Sequence, residues 1–251
     1  MLTEQRQEEI LKLVNEHNSM TVQELKDIFH ASESTIRRDI TALDRRGKLE
    51  KVFGGAIALE ETLFTRELSV SQKELINQEE KMQIARYAAA LIEPGDYVYI
   101  DSGTTTAAMI DYIRETDAVY VTNAVAHAKR LVTLGCKVML IGGELKETTE
   151  AVIGAEAVLH IQRFHFSKGF FGSNGVSLNA GFTTPDVREA MVKQVAIEGT
   201  QPGKRYLLTD HSKFGQVASV TFSMFDGTVV LTDKRPEEAY MKSLSVKVCP
   251  E

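Results

Sequence analysis

The 251-residue chain has only two cysteines, Cys136 and Cys249, far apart and without a C-x-x-C partner. That scarcity argues against a disulfide-stapled scaffold and against a thiolate zinc site. No metal ion or cofactor is expected. No uninterrupted apolar run approaches the roughly 20 residues that a membrane helix needs, so no membrane partner is expected either. The first residues, Met1-Leu2-Thr3-Glu4-Gln5-Arg6, lead into a polar helical pattern rather than a leader peptide, and the expected location is cytoplasmic. An excess of positive charge is also missing. With 29 Lys and Arg against 35 Asp and Glu, the net charge of −6 excludes an indiscriminate coater of nucleic acid. Internal repeats and low-complexity segments are absent. What is present is an ordinary globular composition in a chain long enough for two domains.

Positive charge is instead concentrated in one place. The stretch Ala31–Ala56, ASESTIRRDITALDRRGKLEKVFGGA, holds Arg37, Arg38, Arg45, Arg46, Lys48 and Lys51. Ser32 is placed to cap a helix by accepting a hydrogen bond from the free N–H groups of its first turn. At about 100° per residue, Ile36, Ile40 and Leu43 fall together and form a buried stripe. Ser34, Arg38, Thr41 and Arg45 take the opposite side, flanked by Thr35 and Arg37. Guanidinium forks reach guanine edges or phosphates, and hydroxyls near a helix N-terminus donate to phosphate. This face therefore suits the major groove of double-stranded DNA. Gly47 can end the helix in left-handed geometry. Lys48–Val52 and Ala56–Ala58 can then pair about Phe53-Gly54-Gly55 as a wing, whose Lys51 would meet the backbone or the minor groove. The DNA-contact candidates are Ser32, Ser34, Thr35, Arg37, Arg38, Thr41, Arg45 and Lys51. A merely solvated amphipathic helix would carry similar charges, so the neighbouring segments decide.

Those neighbours fit a compact module. A helix over Glu4–His17 offers Ile10, Leu11, Leu13 and Val14; Thr21 and Glu24 have capping-box spacing; and the helix they open offers Val22, Leu25, Ile28 and Phe29. The expected organisation is a winged helix-turn-helix over 1–58, a polar linker over 59–80 that has room for helix, and an effector-binding and oligomerisation domain over 81–251. In the last, helices at Met82–Ile92, Thr104–Ile113, Ala124–Leu134 and Asp186–Ile197 alternate with strands. The strands are expected at Tyr97–Ile100, Ala118–Val121, Lys137–Ile141, Phe166–Phe171, Arg205–Leu208 and Thr228–Leu231. The pattern predicts an α/β fold with a mostly parallel sheet covered on both faces.

Open parallel sheets bind ligands beyond the carboxyl ends of their strands. The strand-end loop Asp101-Ser102-Gly103-Thr104-Thr105-Thr106 combines a glycine, hydroxyl donors and a helix start, a cradle for phosphate; a hydroxyl-rich cap with no ligand would read the same. Thr122-Asn123 and Gly142-Gly143-Glu144 also stand at strand ends, where a helix cap and a tight turn are the plain alternatives. Gly172-Ser173-Asn174-Gly175 and Asp210-His211-Ser212-Lys213 follow later strands. The adjacent His211 and Ser212 show no base-orienting arrangement that would make a nucleophile.

Taken together, these motifs resemble the DeoR family of bacterial transcription regulators. Its reading helix runs S-x-x-T-[IV]-R-R-D-[LI], matched by Ser32, Thr35, Ile36, Arg37, Arg38, Asp39 and Ile40. Its wing ends H-G-G-A, matched at Gly54, Gly55 and Ala56 but not at Val52-Phe53, which leaves the wing's contact chemistry open. D-S-G-T-T (Asp101–Thr105), T-N (Thr122, Asn123), I-G-G-E (Ile141–Glu144), G-x-N-G (Gly172, Asn174, Gly175), the Gly181–Asp186 segment with Glu189, and D-H-S-K-F-G (Asp210–Gly215) follow in order. The resemblance implies an effector domain related in fold to ribose-5-phosphate isomerase. It also implies a repressor of a sugar operon, released from operator DNA by a sugar phosphate; because one helix-wing unit reads only a short half-site, a homodimer or homotetramer is expected. Effector contacts would fall on Asp101, Ser102, Gly103, Thr104, Thr105, Thr106, Asn123, Gly172, Asn174, Glu189 and Lys213. The run Phe166–Gly175 looks most like fructose-operon repressors, which points to fructose 1-phosphate, with tagatose 6-phosphate as runner-up. The alternative is a sugar-phosphate isomerase fused to a DNA-binding module, although the isomerases' D-G-A-D-E segment has no counterpart here. A third reading is an effector-blind DNA-binding protein whose second domain only dimerises, which a thermal-shift panel of sugar phosphates would separate.

Overall fold

The computed structural model describes residues 2–17, 19–58, 62–63 (backbone) and 69–250. Residues 59–61 and 64–68 of the expected linker lie outside the described residues. Two compact units are present: Met1–Thr62 with Pro236–Ser243, and Leu63–Arg235 with Leu244–Glu251.

In the first unit, α1 (Thr3–His17), β1 (Ser19–Thr21), α2 (Val22–Phe29) and α3 (Glu33–Arg45) precede the wing strands β2 (Glu50–Val52) and β3 (Gly55–Ile57). The local signals act as their chemistry requires. Thr21 and Glu24 form a reciprocal capping box on α2, and the Ser32 hydroxyl accepts from Thr35 N–H on α3. Gly47 follows α3 with φ of +63°. Ile36, Ile40 and Leu43 pack against Ile10, Val14, Val22 and Leu25 in one core, each buried side chain of this size contributing about 1.5–3 kcal/mol. Ile28, expected on that stripe, sits at its edge and is 51% exposed.

The wing differs from the expected pairing by one residue. Its turn is Phe53-Gly54, and Gly55 belongs to the strand, paired with Val52 on one side and Thr21 on the other. The sheet thus has three strands, in the order β1-β3-β2. A Cβ at Gly55 would stand 2.3 Å from the Met20 carbonyl oxygen, so only glycine lets β1 lie this close.

The second unit holds the remaining elements except α10. They are β4 (Thr62–Leu63, whose Thr62 closes the first unit), α4 (Val70–Glu74), α5 (Gln78–Ala89), β5 (Tyr97–Ile100), α6 (Thr104–Ile110), β6 (Val119–Thr122), α7 (Val125–Thr133) and β7 (Lys137–Leu140). A hairpin, β8 (Glu144–Leu145) and β9 (Val152–Ile153), leads to α8 (Ala155–Ile161) and β10 (Lys168–Gly172). After β11 (Gly175–Ser177), β12 (Gly181–Thr184), α9 (Val187–Glu198) and β13 (Arg205–Leu208) come β14 (Gln216–Val217), β15 (Val220–Ser223) and β16 (Thr228–Thr232). The chain ends with α10 (Glu238–Ser243), grouped with the first unit, and β17 (Ser245–Val248). Seven strands form one sheet, β17-β16-β13-β10-β5-β6-β7, and every pairing in it is parallel.

Alternate residues of these strands serve the two faces. Val98, Ile100, Tyr120, Phe170 and Leu208 pack against Ile84, Met109, Ile110 and Leu131 from α5, α6 and α7. On the other face, the Tyr99 ring lies tilted against Phe166 and Phe171, with centroids 5.2 and 5.5 Å away, and α9 packs against β10. The separate antiparallel sheet β11-β12-β15 and the edge strand β17 were not expected from sequence. Several helices also begin or end away from their expected bounds: α5 opens at Gln78, inside the segment read as linker, and α6 stops at Ile110.

Candidate functional site

The strand order reverses between β5 and β10, and loops leaving such a switch point diverge to open a crevice. The β5 loop carries Asp101-Ser102-Gly103, the β10 loop Gly172-Ser173-Asn174, and the loop after β13 Thr209–Lys213. Together they enclose a cleft of about 270 Å³, the scale of a small-molecule site. Of the sequence-derived candidates, Ser102, Gly103, Thr104, Thr105, Gly172, Asn174, Glu189 and Lys213 line it. Gly103 and Gly172 bring two loops into contact: a Cβ on Gly103 would meet the Gly172 Cα at 3.6 Å. Gly103 is also the N-cap of α6, with no side chain capping its first turn.

Three candidates lie off the cleft wall. Thr106 is buried and donates to the carbonyls of Asp101 at 2.6 Å and Gly103 at 2.7 Å, shaping the loop. Asn123 is buried between Tyr99, whose hydroxyl donates to it at 3.1 Å, and the Val152 carbonyl at 3.2 Å. Asp101 is fully buried beneath the wall. Its Oδ2 accepts from Gly172 N–H at 3.0 Å, which ties the two switch-point loops together, and from the Lys193 ammonium of α9. Among the described residues, Asp101 Oδ1, Ser173 Oγ and Thr209 Oγ1 are buried and find no hydrogen-bond partner, a cost that folded proteins normally avoid.

Sequence reasoning missed several lining residues, among them Lys81, Thr149 and Lys193; Ser173, Thr209 and Asp210, which also line the cleft, stand in strand-end loops it singled out but not among its contact candidates. For Lys193 a signal existed: it stands four residues after Glu189, on the same face of α9, and both are buried. Glu189 accepts from Thr149 Oγ1 and, at 3.3 Å, from Lys146. Asp210 accepts from Ser212 Oγ at 2.5 Å and from Asn77 Nδ2 at 2.9 Å. Burial opposes ionisation of Asp210, but the Ser212 hydroxyl, Lys213 and Asn77 outweigh it and hold the carboxyl below its ordinary range. His211 bonds a different carboxylate, Asp233, at 2.7 Å, so it and Ser212 do not face each other as base and nucleophile.

In the first unit, α3 presents its candidates on one exposed face. Ser32, Ser34 and Thr35 share hydroxyl contacts of 3.0 and 2.8 Å at the helix start. Arg37 pairs with Glu33 at 2.7 Å, Thr41 donates to the Arg37 carbonyl at 2.7 Å, and the Lys51 ammonium reaches Thr41 at 3.0 Å. Arg38 and Arg45 are exposed and, among the described residues, make no side-chain bond. Phe53 stands fully exposed at the wing tip. The motif's aspartate, Asp39, faces inward instead: it is buried and accepts from Arg6 at 2.7 Å and Gln7 at 2.9 Å, binding α1 to α3.

Two family models match this arrangement, the DeoR-like helix-turn-helix domain over residues 6–62 and the DeoR C-terminal sensor domain over residues 76–234. The chain belongs to the DeoR family. Among DeoR-family relatives it is 42% identical to the HTH-type transcriptional regulator FruR of Bacillus subtilis, over 93% of this chain and 92% of that one. It is 34% identical to the lactose phosphotransferase system repressor of Staphylococcus aureus over 93% of each chain. It is 30% identical to the regulator IolR of Bacillus subtilis over 92% of this chain and 91% of that one. Among solved structures, ribose-5-phosphate isomerase A of Methanocaldococcus jannaschii aligns with a TM-score of 0.40 and 14% identity over 55% of each chain. No helix among the described residues is long and apolar enough to cross a membrane.

Behind the DeoR-family D-S-G-T-T loop sits His127, 5% exposed on α7. Burial pushes its pKa down to about 4, with Asp101 opposing part of the shift. An unfolded chain takes up a proton on this imidazole near pH 6.5. The unfolded state therefore holds more protons between those values, and stability falls as pH drops through that window. This group alone is expected to make the protein about 2 kcal/mol less stable at pH 5 than at pH 7. Urea unfolding at the two pH values checks it: His127→Gln should flatten the difference, and an unchanged pH slope would assign the effect elsewhere.

Proposed function

We propose that this DeoR-family protein represses a sugar-uptake or sugar-catabolism operon and is released from its operator by a phosphorylated sugar. The observation that carries the reading is the switch-point cleft. Hydroxyls of Ser102, Thr104 and Thr105 and the uncapped first turn of α6 share it with Lys213. Buried acceptors and donors that find no partner among the described residues, Asp101 Oδ1, Ser173 Oγ and Thr209 Oγ1, border them. In this reading Ser102–Thr105 take the phosphate. Asn174, Glu189 and Lys213 take sugar hydroxyls or the phosphate rim, Asp101 and Thr106 hold the loop in shape, and Asn123 acts from behind the wall. The resemblance of the run Phe166–Gly175 to fructose-operon repressors favours fructose 1-phosphate as effector, and the part of it shared with lactose/tagatose-pathway repressors keeps tagatose 6-phosphate as runner-up.

Ser32, Ser34, Thr35, Arg37, Arg38, Thr41, Arg45 and Lys51 read the operator in this account, working in the cytoplasm. A homodimer or homotetramer supplies the second half-site that one short recognition helix lacks. The protein is not an enzyme in this account. A general base works best with a pKa near the operating pH, whereas Asp210 is held low and Glu189 is already bonded to Lys146 and Thr149. Release requires the sugar phosphate to favour the DNA-incompetent arrangement, and linkage then makes operator weaken sugar-phosphate binding by the same factor.

The test is operator binding at fixed salt, on DNA selected by the protein from random sequence, titrated with fructose 1-phosphate, tagatose 6-phosphate and other monophosphates. One of them should lower operator affinity. Thr104→Val should raise the concentration needed by roughly tenfold or more, the scale of a lost bond to a charged group, without changing operator affinity itself. If no phosphosugar moves operator binding, the reading fails.

A further inference from the structure

The wing departs from the family motif at Val52-Phe53, where a histidine would precede Gly54-Gly55-Ala56. Phe53 is more exposed than any other large apolar side chain among the described residues, and Val52 beside it is 37% exposed. A phenyl ring has no polar handle to offer water, so this placement gives up the burial that ordinarily stabilises such a side chain. One exposed apolar residue means little by itself. Here its setting gives it meaning.

The tip is rigid. Phe53-Gly54 is a two-residue turn closed by the pair Val52 and Gly55, and Gly54 holds a φ of +87°. The Gly54 carbonyl accepts from Val22 N–H at 2.8 Å, which pins the turn to the start of α2. β3 behind it is paired on both sides. The hairpin is also aimed. Lys51 N–H donates to Asp44 at 3.2 Å, and the Lys51 ammonium donates to Thr41 at 3.0 Å. These bonds join β2 to the second half of α3, where Thr41 shares a face with Arg38 and Arg45. Lys51 and Arg45 are both exposed, so the ring stands beside positive charge, which suits an anionic partner.

With α3 in the major groove, a wing bonded to its side faces the flanking minor groove. A hydrogen-bonding side chain there would read base edges. Phenylalanine cannot, but apolar side chains enter minor grooves in another way, as wedges between base pairs that unstack one step and kink the duplex.

We infer that Phe53 is such a wedge: it opens one base step in the minor groove beside each half-site and bends the operator. This rests on the operator reading above, in which the wing supplied Lys51 alone. The further claim is that recognition extends to a step where Phe53 forms no hydrogen bond. Opening a step costs least at TA and CA/TG, so Phe53 selects flexible sequence rather than one particular base pair.

The experiment uses the full chain and operator DNA selected by the protein from random sequence, with a fluorescence donor and acceptor at the two ends of the duplex. Phe53→Ala should weaken operator binding roughly tenfold to a hundredfold, the scale of one lost contact between an aromatic side chain and a base. Binding to scrambled DNA, which depends on phosphate contacts, should change by less than about threefold on that view. Phe53→Leu keeps an apolar wedge and should recover most of the loss. Energy transfer should rise when the unsubstituted protein or Phe53→Leu binds, and stay flat with Phe53→Ala. Sequences selected by the unsubstituted protein should carry TA or CA/TG at a fixed distance from each half-site, and those selected by Phe53→Ala should not. Unchanged operator affinity in Phe53→Ala, equal bending by both proteins, or an equal loss on operator and scrambled DNA would overturn the inference. A lower urea midpoint in Phe53→Ala would do so too, because a fully exposed wedge carries no part of the fold. If the unsubstituted protein enriches no sequence at all, the operator reading itself has failed, before any variant is compared.

Discussion

Arg38→Ala is expected to weaken operator binding about a thousandfold, because a bidentate arginine–guanine contact is worth about 1–3 kcal/mol in each of two half-sites. Sugar-phosphate affinity should not change. The choice among the arginines of α3 follows from their partners. Arg37 is paired with Glu33 one turn away, and Arg46 is folded back onto Gln7 and the Ala42 carbonyl. Arg38 stays exposed on the face opposite the buried Ile36, Ile40 and Leu43, with both fork nitrogens uncommitted among the described residues. Arg38→Lys separates base reading from simple attraction. It keeps the charge but loses the planar fork, so it should retain non-specific binding and lose most discrimination between operator and scrambled DNA. Anisotropy titrations at fixed salt measure both, since phosphate contacts make affinity depend on salt. Operator affinity within a few-fold of the unsubstituted protein would remove Arg38 from the interface.

How much of this was legible depended on how local the cause was. The Ser32 cap, the Thr21–Glu24 capping box, the left-handed Gly47 and the stripe on α3 each involve residues within one or two turns, and the structure has all of them. The buried sheet strands were legible as short apolar runs between helical patterns. Strands whose pairing is distant were not. β1 is three residues ending on the Thr21 that also caps α2, and only its pairing with β3 makes it a strand. β12 reads Gly-Phe-Thr-Thr and is buried on both faces, so it shows no alternation. The cleft followed the same rule. Its hydroxyl loop stands contiguous in the sequence. Of the lysines around it, Lys81 comes from α5 and Lys193 from α9, and nothing local marks Lys81 as sharing a cleft with Lys213, more than a hundred residues on. Asp39 was legible as a motif letter, but its buried bonds to Arg6 and Gln7 depend on how α1 packs.

Lys193→Met should be the most destabilising of the substitutions considered, by about 3–5 kcal/mol, because removing one member of a buried ion pair strands the other. Asp101 is fully buried and Lys193 nearly so. Without the ammonium, the Asp101 carboxylate would keep only the Gly172 N–H at 3.0 Å, and its Oδ1 already lacks a partner. Adding Asp101→Asn removes the stranded charge, and the double variant should regain much of the loss. The non-additivity between the two single substitutions and the double measures their coupling. Urea unfolding is the readout, with a lower midpoint and an unchanged slope as the signature of lost stability. A loss of under about 1 kcal/mol, no more than an exposed pair is worth, would show that Asp101 is not held as a charge. The ammonium, carried by α9, also donates to the Gly172 carbonyl at 3.2 Å, so it bonds both loops of the switch point and its strength bears on recognition as well as stability. A cleft whose walls are tied by a buried charge pair presents its hydroxyls to a phosphate already in position, and less binding energy goes into ordering them.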